Sequence, residues 1–284
     1  MADKEQRAEQ ARKHNALMKG AFASETAATV EAAVIYEEGE GRSLPLPEAA
    51  FETTETIVTT AFLPEALYRF GTGKALVVDP ASFTRPGGAY LDGAFGPEQV
   101  LCADSNLYEV LCGIKRDYHD KNRDYRRGQL FTDRCAYLSD VTFSRGGDVR
   151  RANVLAIAEP LRARALENHR SEAECDHELT RRIETILTVA AANECETLLV
   201  NAFACGRLGY PAQQVVDAFK AWIDAHPGAV GRVVFAVPRL HLDAFDAAFG
   251  KPKEEAPAPV ATADDEEDAE DWRTVDLPEG VTLR

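Results

Sequence analysis

Short runs of β-branched and apolar residues recur along this chain, at 56–60, 74–78, 197–203 and 232–237, and helical spacing follows each of them. The partners are 63–70, 98–115, 211–225 and 241–249, with Pro64 and Pro211 placed where a first helical turn tolerates proline. A run of this length crosses a sheet once, and the helix after it returns the chain to begin the next strand in the same direction. The alternation predicts an α/β layer structure with a largely parallel or mixed sheet.

Around this frame the spacing predicts an N-terminal helix over 4–22 and a small hairpin within 33–46, broken at Gly39 and Gly41. Residues 117–129 are dense in charge and aromatic side chains and suggest an exposed connection. Short strands are expected at 136–138 and 153–158, and a long amphipathic helix over 171–192. The domain reading is an N-terminal extension over 1–50, the main domain over 51–250 and a tail over 251–284. The tail is rich in Pro, Ala, Glu and Asp and offers little to bury, so disorder is expected there.

The formal charge is −15, and nine acidic residues with no basic one fall between Glu254 and Asp271. That balance argues against binding a nucleic-acid backbone, which needs a concentrated basic face. Six cysteines, Cys102, Cys112, Cys135, Cys175, Cys195 and Cys205, show neither Cys-x-x-Cys pairing nor Cys/His ligand spacing. A cytoplasmic protein with no metal, no cofactor and no membrane partner is the expectation, and a monomer. The six histidines form no metal motif.

Two loops carry the chemistry. The first runs from Asp79 to Gln99 and contains Ser82, Arg85, Gly87, Gly88 and Ala89, then Glu98 and Gln99. The second is Cys205-Gly206-Arg207-Leu208-Gly209-Tyr210-Pro211, between a strand and a helix. Glycines in such loops let backbone N–H groups approach a phosphate, and two loops together suggest a bound diphosphate, although either can serve only as a turn. Cys205 has the look of a thiol at a helix start, but the sequence places no histidine as its base. Phe95 and Phe203 read as core or cleft wall.

Taken together, Val78-Asp79-Pro80-Ala81-Ser82, Gly87-Gly88-Ala89, seven intervening residues and Pro97-Glu98-Gln99 resemble the signature of the microbial-type poly(ADP-ribose) glycohydrolase (PARG) family. That family has Gly-Gly-Gly followed by Gln-Glu-Glu at this spacing. The resemblance implies a macrodomain-like three-layer α/β/α fold with a mixed sheet, whose cleft holds ADP-ribose or an ADP-ribosylated protein. It implies that Asp79, Ser82, Arg85, Gly87, Gly88 and Ala89 lie on the ribose side, and Cys205, Gly206, Arg207, Leu208, Gly209 and Tyr210 around the diphosphate.

The family's reaction is hydrolysis of the ribose–ribose glycosidic bond. By the resemblance Glu98 holds the distal ribose hydroxyls, and the general acid that protonates the departing oxygen falls at position 99. Here that residue is Gln99, whose amide donates a hydrogen bond but surrenders no proton at neutral pH. Ala89, Pro97 and Arg85 also depart from the pattern. Two functions follow from these departures: a weak or altered ADP-ribosyl glycohydrolase, or a module that binds ADP-ribose and releases it unchanged.

Overall fold

The computed structural model describes residues 3–250, so the acidic tail at 251–284 lies outside the described residues. Seven strands form one mixed sheet: β1 (Val34–Tyr36), β2 (Glu55–Thr59), β3 (Ala75–Pro80), β4 (Cys135–Arg145), β5 (Asp148–Ile157), β6 (Thr197–Asn201) and β7 (Arg232–Ala236). Their spatial order is β1-β4-β5-β3-β6-β7-β2. From β5 to β2 neighbouring strands are parallel, whereas β4 is antiparallel to both β5 and β1.

Successive side chains of a strand point to opposite faces, and both faces of this sheet are buried. Leu76, Val78, Leu198, Val200, Val233 and Phe235 enter one apolar cluster, while Ala75, Val77, Leu199, Val234 and Ala236 enter the other. The long α7 (Glu172–Ala192), α8 (Ala212–Ala225) and α9 (Arg239–Phe249) supply the first cluster. On the other face lie α1 (Lys4–Ala21), α3 (Leu63–Phe70), α4 (Pro97–Ala103) and α5 (Leu107–Gly113). The two remaining helices are α2 (Ala23–Glu31), against β4, and the short α6 (Arg162–Glu167). This is the three-layer α/β/α architecture. Helix α7 starts on a reciprocal cap: Ser171 Oγ accepts from Glu174 N–H at 3.2 Å, and Glu174 Oε2 accepts from Ser171 N–H at 2.8 Å.

Several local expectations are corrected. The segment 33–46 forms no hairpin with itself, because β1 finds its partner in β4, about a hundred residues further on, through Ile35 opposite Ala136. One helix over 98–115 becomes two. Ser105 forms a β-bridge with Phe143, and Asn106 Oδ1 accepts from Thr142 N–H at 2.9 Å, so contacts with β4 interrupt the helix. Strands β4 and β5 extend well beyond the expected cores, because Gly146 (φ 60°) and Gly147 (φ 92°) make the tight turn between them.

The charged stretch 117–129 is not an exposed connection at its start. Tyr118, His119 and Asn122 are buried in helical turns, organised by the buried Arg134. Its guanidinium donates to Tyr118 O at 3.0 Å, Asp117 O at 2.6 Å and Asn122 Oδ1 at 2.7 Å, and pairs with Glu37 at 2.6 Å. Asn122 in turn donates to Phe83 O at 2.8 Å, which ties this segment to the loop after β3. Arg134→Ala orphans several buried carbonyls, so urea unfolding should show a loss of about 2–4 kcal/mol.

Candidate active site

Strands β5 and β6 flank β3 on opposite sides, so the loops leaving the carboxyl ends of these parallel strands diverge around one crevice. Open α/β sheets bind ligands at such a point. The loop after β3 brings Ser82, Gly87, Gly88, Glu98 and Gln99 together. Ser82 Oγ–H donates to Glu98 Oε2 at 2.6 Å, and Gln99 Nε2 donates to Gly87 O at 3.1 Å and to Glu98 Oε2 at 3.2 Å. Gly88 closes this cluster with φ 56°, and a Cβ there would stand 2.6 Å from Ser82 Oγ and 3.1 Å from Glu98 Oε2. Only glycine combines that conformation with that approach.

Two cavities of about 340 Å³ each occupy the crevice. The first lies over the carboxyl ends of β2, β6 and β7, between Phe62 and Phe95 at one side and Cys205, Arg207 and Leu208 of the second loop at the other. The second is bordered by Ser82, Arg85, Arg126 and Phe131. Glu159 and Leu208 line both. Ser82 is the link to the carboxylate cluster, since it borders the second cavity and holds Glu98 one hydrogen bond behind that wall. Gln99 borders a separate cavity beneath α1, with His14, Tyr90 and Val100.

Burial sets the electrostatics. The Asp79 carboxyl is fully buried at the end of β3, neither oxygen has a hydrogen-bond partner among the described residues, and burial with the Glu98 and Glu159 charges pushes it well above the usual carboxylate range. Burial raises Glu98 to about 7 against the opposing Ser82 hydroxyl. Burial also raises Glu159 to about 7, opposed by the Ala204 N–H, the Asn201 side chain and Arg207. Cys205 is pushed up to about 12 by burial and by Glu159, so its thiol stays protonated and is no activated nucleophile.

The remaining expected residues are dispersed. Arg85 is exposed and pairs with Asp92 at 2.7 Å. Gly206 is exposed in the second loop, while Gly209 (φ 102°) packs against Ala163 of α6. Tyr210 turns into the core, where its hydroxyl donates to Cys175 O at 2.8 Å and its ring is buried, so its side chain packs inward instead of lining the diphosphate site that the resemblance implies. Phe203 is likewise core, whereas Phe95 stands at the cavity, edge-on to Phe62 at 6.3 Å between ring centroids.

Residues 5–146 match the microbial-type PARG catalytic domain. The chain belongs to that family. Among solved structures it resembles the PARG of Thermomonospora curvata, at 22% identity over 86% of this chain and 99% of that one, with a TM-score of 0.75. The same enzyme bound to the inhibitor ADP-HPD aligns at 24% identity over 85% and 98% of the two chains, with a TM-score of 0.74. The PARG of Deinococcus radiodurans in complex with ADP-ribose aligns at 23% identity over 78% and 96%, with a TM-score of 0.69. No curated protein matches the chain.

Two departures from the family signature have a local explanation. Ala89 has φ −108°, which needs no glycine. Pro97 opens α4, where its missing N–H costs nothing. Gln99 has no such account: its amide makes two hydrogen bonds, both as donor. The residues that sequence reasoning missed are Glu159, Asn201, Phe62 and His241, all bordering the first cavity. Glu159 carried one signal, a charge directly after the buried run 153–158.

Proposed function

We propose that the crevice binds ADP-ribose and that the chain hydrolyses ADP-ribosyl glycosidic bonds weakly. The observation that carries this reading is the pair of adjacent cavities that share Glu159 and Leu208, the first lined also by Arg207 of the second loop and the second by Ser82, which holds Glu98 behind its wall. Phe62 and Phe95, both largely exposed at the first cavity and perpendicular to one another, offer a ring face on which a nucleobase can stack. Asp79, Ser82, Gly87 and Gly88 are assigned to the ribose side and Cys205, Gly206, Arg207 and Leu208 to the diphosphate.

The second reading, a module that binds without turnover, is favoured by Gln99 itself, which occupies the acid's position as a hydrogen-bond donor. A calorimetric titration with ADP-ribose tests binding, and ADP-ribose release from a poly(ADP-ribosyl)ated protein tests turnover. Phe95→Ala should weaken ADP-ribose binding about tenfold, a loss of about 1.4 kcal/mol. Absence of ADP-ribose binding by the wild type defeats both readings. The six free cysteines support a reducing, cytoplasmic setting, and no helix among the described residues is long and apolar enough to cross a membrane.

A further inference from the structure

The residue just before the second loop gives its backbone N–H to a carboxylate of the same chain. Ala204 N–H, held in a left-handed conformation (φ 62°) that a non-glycine residue rarely adopts, donates to Glu159 Oε1 at 2.7 Å. The neighbouring Ala202, Cys205, Arg207 and Leu208 line the cavity together with Glu159. The backbone before Glu159 is fixed as well, because the buried Arg182 donates to Ala158 O at 3.1 Å. A carboxylate therefore already occupies a backbone N–H immediately beside cavity-lining residues.

We propose that Glu159 is a proton-linked competitor for the diphosphate of ADP-ribose: a phosphate oxygen replaces the carboxylate on Ala204 N–H, and Glu159 takes up one proton from solvent as it gives way. The inference rests on the ADP-ribose reading of the crevice. Two negative groups cannot share a partly buried site without cost, and protonation is the least costly release. The balance is one proton in and none out, since the diphosphate is fully ionised at neutral pH. Burial supports the direction by raising Glu159 to about 7.

The charged and titratable groups facing Glu159 come from several elements. Asp79 interacts with it from β3, Cys205 and Arg207 from the second loop, and His241 of α9 borders the same cavity. Arg85 and Arg126 border the second cavity. Arg207 favours the Glu159 carboxylate, while the charges of Glu159 and Glu98 add to burial in raising Asp79. Glu98 is raised too, so a pH dependence alone would not identify Glu159.

The test is calorimetry with ADP-ribose and with adenosine, which lacks the diphosphate, on wild type, Glu159→Gln and Glu159→Ala, at several pH values and in two buffers of different ionisation enthalpy. With a carboxyl titrating near 7, wild-type affinity for ADP-ribose should fall about tenfold from pH 6 to pH 8, with close to one proton taken up at pH 8. Both variants should bind ADP-ribose about tenfold more tightly than wild type at pH 8, without that proton uptake. Adenosine should bind alike to all three. Variants that bind ADP-ribose no better than wild type at pH 8, or that keep the proton uptake, overturn the inference while the functional reading stands. If none of the proteins binds ADP-ribose at any pH, the functional reading falls and the inference with it.

Discussion

A Gln99→Glu variant is expected to release ADP-ribose from poly(ADP-ribosyl)ated protein at least 10²-fold faster than wild type, toward the roughly 10²–10⁴-fold that a positioned general acid contributes. The local hydrogen bonding favours a protonated carboxyl at position 99, because both groups that Gln99 Nε2 now meets are acceptors, Gly87 O at 3.1 Å and Glu98 Oε2 at 3.2 Å. A carboxyl at the same place must carry a proton to keep either bond. Its titration would therefore be displaced upward, into the range where an acid is still protonated at neutral pH. The measurement is initial ADP-ribose release at matched protein concentration, with ADP-ribose affinity recorded for both proteins. Equal rates with equal affinity would mean that loss of the acid at position 99 is not what limits turnover, and the mechanistic inference would be withdrawn.

The second large effect concerns stability against pH. Glu98, ordinarily near 4.5, is raised to about 7 in the folded protein, so between those values the folded state holds a proton that the unfolded chain has released. The stability this group contributes is complete below the unfolded value and is lost as pH rises through the folded one. Asp79 and Glu159 act in the same direction. His119, pushed down to about 4 by burial, acts oppositely between its folded value and 6.5.

Comparison with a neutral variant isolates the carboxyl. The stability of Glu98→Gln relative to wild type should increase by roughly 3 kcal/mol between pH 4.5 and pH 8, at about 1.36 kcal/mol per pH unit over the interval. Urea unfolding at each pH reads this difference directly. A difference that does not change with pH would show that Glu98 titrates as an ordinary surface carboxyl, and the buried cluster with Asp79 would lose its electrostatic account.

How much of this molecule was legible depended on how local each cause was. Strands β2, β3, β6 and β7 and helices α3, α7, α8 and α9 announced themselves because their strands are buried on both faces, or half-buried at the edge in β2, and each helix shows one apolar stripe. β1 did not, because three residues carry no period and their partner lies in β4. The outer halves of β4 and β5 were missed for a different reason: they run out to the exposed Val149, and only the Gly146-Gly147 turn marks them as a hairpin.

The site divides in the same way. The sequence by itself determined the α/β frame, the two loops and the identities at positions 98 and 99, because glycine spacing and the alternation of apolar runs are written in consecutive residues. Only the tertiary structure decided that Ser82 holds Glu98 behind the cavity wall, that Tyr210 packs inward, and that Glu159 accepts from Ala204 N–H just before the second loop. Each of those depends on which groups share a low-dielectric space after folding. Ala204 and Glu159 are 45 residues apart in the chain and 2.7 Å apart in space, and no local pattern encodes that meeting.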